Sequence, residues 1–178
     1  MDAALRREQI LATIDASRSG GTPVSASRLA AELGVSRQVI VGDVALLRAQ
    51  GHDIIATARG YTCHSMPQLL EAGHFIGKVA CRHDSGEMQA ELYLMVDLGA
   101  SVINVIIEHE LYGEITGQLN LKTRDEIDQF MLQYESSDTK LLSELSDGVH
   151  LHTVACRNKA HFDQLCQELN SKGYLLAE

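Results

Sequence analysis

The sequence predicts an α+β chain in two domains, and three patterns carry that reading. Two short helical stripes are broken by a tight turn at Gly34-Val35-Ser36, and a pair of short extended runs meets at Arg59-Gly60. Beyond residue 70, strand-like and helix-like stretches alternate as β-α-β-β-α-β-α. A three-helix head closed by a β-hairpin is a winged helix-turn-helix, expected over residues 1–64. Hairpin-linked strands mixed with helices give a two-layer α/β domain over 70–178, a mainly antiparallel sheet with helices on one face.

The first helix is expected from about Ala4 to Arg18, with Ile10, Leu11 and Ile14 as its buried stripe. Ser19-Gly20-Gly21-Thr22-Pro23 breaks it. A second helix follows, capped at Ser25, with Leu29, Ala30 and Leu33 on its apolar face and Gly34 just past its end. Ser36 caps a third, in which Ile40, Val44 and Leu47 share a face with Val39 beside them. Ser36, Arg37, Gln38 and Val41 are left near the helix start, where a recognition helix carries its base-contacting groups. Arg28 on the preceding helix and Arg59 at the hairpin tip complete the candidate DNA contacts. Gly42 is an oddity inside the third helix, where glycine costs about 1 kcal/mol relative to alanine.

His64-Ser65-Met66-Pro67 is the expected joint, because proline disfavours helix in the residue before it. Strands are then expected at Phe75–Cys81, Ser101–Glu108, Glu114–Leu121 and Val149–Cys156. A helix over Glu87–Leu98 is capped by Asp84 or Ser85 and ended by Gly99. Thr123-Arg124-Asp125-Glu126 has the capping-box pattern. Asn158 opens a last helix with Phe162, Leu165, Cys166 and Leu169 as its stripe, and Tyr174–Leu176 is a candidate tail strand.

The net charge of −9 is unevenly spread. Residues 1–64 hold seven Arg against six Asp and Glu, a net of +1, while the remainder holds eight Lys and Arg against eighteen Asp and Glu, a net of −10. Phosphate contacts depend on the local basic face, so this division is compatible with a DNA-binding head and an acidic partner domain. No apolar run approaches the ~20 residues that span a bilayer. The N-terminus lacks the apolar core of a signal peptide, so a cytoplasmic location is expected. Cys63, Cys81, Cys156 and Cys166 show no CxxC spacing and read as buried thiols. No nucleophile motif or phosphate loop marks the chain as an enzyme.

His150 and His152 stand two apart in a strand, so both imidazoles emerge on one face. With His83 and Glu91 they could offer three nitrogens and a carboxylate oxygen, a donor set that suits Zn, Ni, Fe or Mn. The same spacing also fits a polar strand face and a solvated helix carboxylate. His109 follows a strand end, where ligand-binding loops gather. His52, His64, His74 and His161 have no partner by spacing and read as structural.

The segments LAAELGVSRQVIVGDVALLRAQGHDIIATARGY, ELYLMVDLGASVINVIIEHELYGEITGQLNLKTRDEI and GVHLHTV resemble the niacin-responsive transcriptional repressors of NAD biosynthesis. These join a winged helix to a three-histidine (3H) domain, and the resemblance covers essentially the whole chain. It implies one divalent ion per chain held by His83, Glu91, His150 and His152. It further implies nicotinic acid as corepressor, with His109, Tyr112 and Gly113 on the effector side, a homodimer, and operator DNA as partner. The alternative is a metal-responsive regulator in which the ion itself is the signal.

Overall fold

The computed structural model describes residues 2–17, 22–57, 59–63 and 73–176. The expected joint at 64–67, the break at 19–21 and the residue before Arg59 lie outside them. The chain divides into two compact units, Met1–Gln68 and Leu69–Glu178.

In the first unit, helices α1 (Ala3–Ala16), α2 (Ala26–Leu33) and α3 (Arg37–Ala49) precede strands β1 (Ile55–Thr57) and β2 (Gly60–Thr62). The helix boundaries follow from local chemistry. Ser25 accepts a hydrogen bond from the Arg28 amide (3.1 Å) and Ser36 one from the Val39 amide (3.3 Å), each satisfying an orphan donor at a helix start. Gly34 ends α2 in the left-handed region (φ 65°), a conformation glycine adopts without cost. Ile10, Ile14, Leu29, Ile40, Val44, Leu47 and Ile54 form the core. Val39 stands outside it, exposed beside Arg37 and Gln38.

The hairpin is an antiparallel pair, and Tyr61 exchanges two 2.8 Å backbone hydrogen bonds with Val24. The Thr57 hydroxyl closes its turn by donating to the Gly60 carbonyl and accepting from the Arg59 amide. One feature of α3 has no periodic signature. Asp43 is buried on the core side, where the guanidinium of Arg6 donates to it at 2.5 Å and that of Arg7 at 3.5 Å. This pair ties the middle of α3 to α1.

In the second unit the order is β3 (Phe75–Arg82), α4 (Met88–Asp97), β4 (Ser101–His109), β5 (Gly113–Leu121), α5 (Arg124–Glu135), β6 (Val149–Cys156) and α6 (Lys159–Ser171). The expected single helix over Glu87–Leu98 is divided: Asp84 caps a 3-10 turn at Ser85–Glu87, and α4 begins only at Met88. The Thr123–Glu126 capping box forms as expected, and Asn158 caps α6. The tail makes a single bridge, Leu175 to Cys81, along the outer edge of β3.

The four strands form one antiparallel sheet ordered β3-β6-β4-β5. The last strand in sequence is thus central, and burial of most of its residues on both faces fits that position. Leu92 and Met95 of α4, Ile127 of α5, and Leu165 and Leu169 of α6 share one core with Val79, Val102, Leu121 and Val154 of the sheet. His161, read as structural, is buried beneath the start of α6. Its ring bonds the Leu98 carbonyl (2.6 Å) and accepts from the Arg157 amide (3.2 Å).

Candidate metal centre and nucleic-acid head

Pairing of β3 with β6 sets Cys81 opposite His150 and Val79 opposite His152, which aims both imidazoles at α4. Glu91, near the start of that helix, points inward and is fully buried. His83 follows β3 by one residue. The four predicted side chains meet at one atom: Glu91 Oε2 lies 2.7 Å from His83 Nε2, 3.4 Å from His150 Nε2 and 3.3 Å from His152 Nε2.

The other ring nitrogens decide what this convergence means. His83 Nδ1 donates to the Asp84 carbonyl (2.8 Å), His150 Nδ1 to the Gly148 carbonyl (2.9 Å) and His152 Nδ1 to the Asn104 carbonyl (2.9 Å). A carbonyl only accepts, so each Nδ1 carries its hydrogen and each neutral ring turns a bare Nε2 lone pair on the carboxylate. Lone pairs facing a carboxylate repel unless a proton or a cation stands among them. Backbone carbonyls that fix the tautomer are the usual second shell of metal-binding histidines. The carbonyl that orients His152 belongs to Asn104, which borders a β-bulge between Val102 and Asn104.

Bonds of about 2.0–2.2 Å place neighbouring ligands roughly 3.0–3.4 Å apart, which the separations of His150 and His152 from Glu91 Oε2 (3.4 and 3.3 Å) match, while His83 stands at hydrogen-bond distance (2.7 Å). The second carboxylate oxygen, Glu91 Oε1, is buried with no nitrogen or oxygen partner. Cys81 Sγ, a Glu91 oxygen and a His150 nitrogen all lie within 4.8 Å of one another, a buried Cys/Glu/His group that could hold a metal. Periodicity gave no reason to include Cys81, although it precedes His83 by two residues, the spacing that shares a strand face. Burial, and next the charge of Glu91, push its thiol far above the ordinary value.

Protonation shows the same need for positive charge. Burial opposes charging of both Glu91 and His83, but their contacts outweigh it. When protons rather than an ion stand among these groups, Glu91 is held well below the ordinary carboxylate range by its attraction to His152 and by hydrogen bonds from the imidazoles, and His83 is raised by its hydrogen bond to Glu91 and that carboxylate's charge. In metal-free protein the His83 contribution to stability is complete below the unfolded imidazole value of about 6.5 and is lost as pH rises through the raised native value. The Glu91 contribution is present above about 4.3 and is lost as pH falls through the lowered native value. Chelator-treated protein is therefore expected to show a urea midpoint that falls over the pH interval that begins at about 6.5 and ends above the raised native value. A midpoint that climbs over that interval contradicts the shared proton.

A cleft of about 510 Å³ opens beside His83, with Arg82, Ser85, Glu144, Asp147 and Gly148 in its wall. His109, Tyr112 and Gly113 do not line it. They sit at the β4–β5 turn, where His109 Nδ1 accepts from the Leu111 amide, its ring lies 5.1 Å from that of Tyr112, and Gly113 has φ 70°. Tyr112 is 73% exposed. By register, His109 shares a sheet face with His150 and His152. Cys63, Cys81 and Cys156 are buried thiols as expected, and Cys166 is half-buried.

In the first unit, Arg37 and Gln38 are exposed at the start of α3, Ser36 caps it, and Val41 is half-buried. Arg28 is exposed and paired with Glu32 at 2.7 Å, a surface pair worth little and easily exchanged for a phosphate. Arg59 is half-buried at the hairpin turn.

Residues 6–62 match the HTH domain family, and residues 76–178 match the 3H domain family. The chain is 39% identical over 176 residues to "Transcription repressor NadR" of Bacillus subtilis (strain 168), covering 98% of this chain and 95% of the relative. It is 37% identical over 175 residues to "Probable transcription repressor NiaR" of Thermotoga maritima, covering 98% and 97%. No helix among the described residues is long and apolar enough to cross a membrane. The chain belongs to the family of transcription repressors that join an N-terminal helix-turn-helix domain to a C-terminal 3H domain.

Proposed function

We propose that this protein represses genes of NAD biosynthesis or niacin uptake in the cytoplasm, with nicotinic acid as corepressor. In this reading it binds operator DNA as a homodimer through Ser36, Arg37, Gln38 and Val41 of α3, helped by Arg28 and Arg59. His83, Glu91, His150 and His152 hold one divalent transition-metal ion (Zn, Ni, Fe or Mn). The observation that carries the reading is the set of three Nε2 lone pairs fixed by backbone carbonyls and aimed at one buried carboxylate. The ion would supply a Lewis-acidic anchor for a pyridine carboxylate.

The chain's own groups would do the rest. Small-ligand sites occupy about 300–1,000 Å³, a range that includes the cleft beside His83, and Arg82 offers that cleft a cation for a carboxylate. His109, Tyr112 and Gly113 would close on the effector from the β4–β5 turn. Effector binding would favour the dimer geometry that spaces two α3 helices about 34 Å apart, one turn of DNA. A 100-fold switch needs only about 3 kcal/mol of differential binding.

The test combines calorimetry of nicotinate on metal-loaded and metal-stripped protein with operator gel shifts. Nicotinate is expected to bind the loaded form and tighten operator binding by about 100-fold, the scale of a full allosteric switch. If metal alone tightens operator binding and nicotinate adds nothing, the ion is the signal. If neither changes it, the sensor assignment fails.

A further inference from the structure

We propose that the Cys81 thiol is a fifth donor of the same centre, which binds its ion as a thiolate complex and therefore prefers zinc or cobalt to manganese. The inference rests on the metal reading above and extends it to a residue that reading did not include. Cys81 lies directly opposite His150 in the β3–β6 ladder, so its side chain leaves the sheet on the imidazole face. Its sulfur, a Glu91 oxygen and a His150 nitrogen are mutually within 4.8 Å, all three residues being buried. Glu91 turns Oε2 to the three imidazoles, while its other oxygen, Oε1, is buried with no nitrogen or oxygen partner and the Cys81 thiol is a hydrogen-bonding neighbour of the same carboxylate.

Charge balance gives the sulfur its role. Three neutral imidazoles and one carboxylate leave a dication with a net charge of +1 in a dry interior, where unbalanced charge is costly. Glu91 and Cys81 are the groups of this buried cluster that can bear a negative charge. Coordination of the thiol as thiolate, with its proton released to solvent, makes the centre neutral. Thiolate also biases the site toward borderline and soft ions and away from manganese, which favours oxygen donors.

Cobalt(II) loading of the chain separates the possibilities. Wild-type protein is expected to show visible ligand-field bands together with a near-ultraviolet sulfur-to-cobalt charge-transfer band. Cys81→Ser should lose the charge-transfer band and keep the visible bands, while Cys156→Ser and Cys166→Ser keep both. Zinc affinity of Cys81→Ser should fall by at least about 10-fold, with manganese affinity little changed. X-ray absorption of the zinc-loaded wild type needs no variant and should show one sulfur at about 2.3 Å. Visible bands without the charge-transfer band, or a zinc shell without sulfur, overturns the role of Cys81 and leaves the histidine–glutamate centre standing. Absence of any cobalt spectrum overturns both.

Discussion

Replacing Glu91 by glutamine is expected to lower the affinity of the chain for a divalent ion by more than about 100-fold, since even loss of an outer-shell partner costs 10–100-fold. The substitution keeps the volume of a fully buried side chain and removes only its charge. Glutamine can also donate an amide hydrogen to one of the Nε2 lone pairs, so the metal-free protein should fold. Its pH dependence should differ from that of the wild type. Without the carboxylate, His83 loses the hydrogen bond and charge that raise it most, and burial, its largest influence, is then opposed only by the Asp84 carbonyl and the charge of Glu87, so its affinity for a proton falls. The fall in the urea midpoint above about pH 6.5 should therefore disappear along with metal binding. Competition against a chromophoric chelator measures the first effect and urea unfolding of stripped protein the second. Unchanged metal affinity would place the ion elsewhere.

That experiment probes a centre whose parts were unequally legible in the sequence. The His150–His152 spacing places two rings on one face of any strand, and this followed from alternation alone. Joining His83 and Glu91 to them required pairing between segments more than fifty residues apart. The residue types offered the four as a possible donor set and the resemblance assigned them to one ion, but no local pattern records that β6 enters the sheet between β3 and β4. The bulge at Asn104 interrupts a run of β-branched residues, a visible irregularity whose consequence depends on which strand lies beside it. Asp43 reads as a polar break in the face of α3, yet it turns inward because Arg6 and Arg7 wait there on α1. Caps behave differently. Ser25, Gly34, Ser36, Thr123 and Asn158 fix helix ends through bonds spanning three or four residues, so they were readable directly.

The second large effect is expected in the DNA-binding head. Gly60 has φ 135°, and a Cβ built there would lie 2.5 Å from the Val24 carbonyl carbon and oxygen and 2.7 Å from the Ser25 nitrogen. These are all backbone atoms, so no rotamer change makes room. Alanine must either strain its own backbone, at about 1–3 kcal/mol, or push the Val24 segment away. Displacing that segment breaks the two hydrogen bonds between Val24 and Tyr61 and moves Ser25, the cap of α2. Gly60→Ala is therefore expected to cost at least about 2 kcal/mol in the head and to abolish specific operator binding. Metal uptake by the same chain should stay at the wild-type level, because the candidate centre draws its side chains from β3, α4 and β6. Gly42→Ala is the control, since a Cβ there meets open space on a helix surface. If Gly60→Ala kept full operator affinity, the hairpin would have no part in DNA binding, and α3 would have to read the operator without a wing.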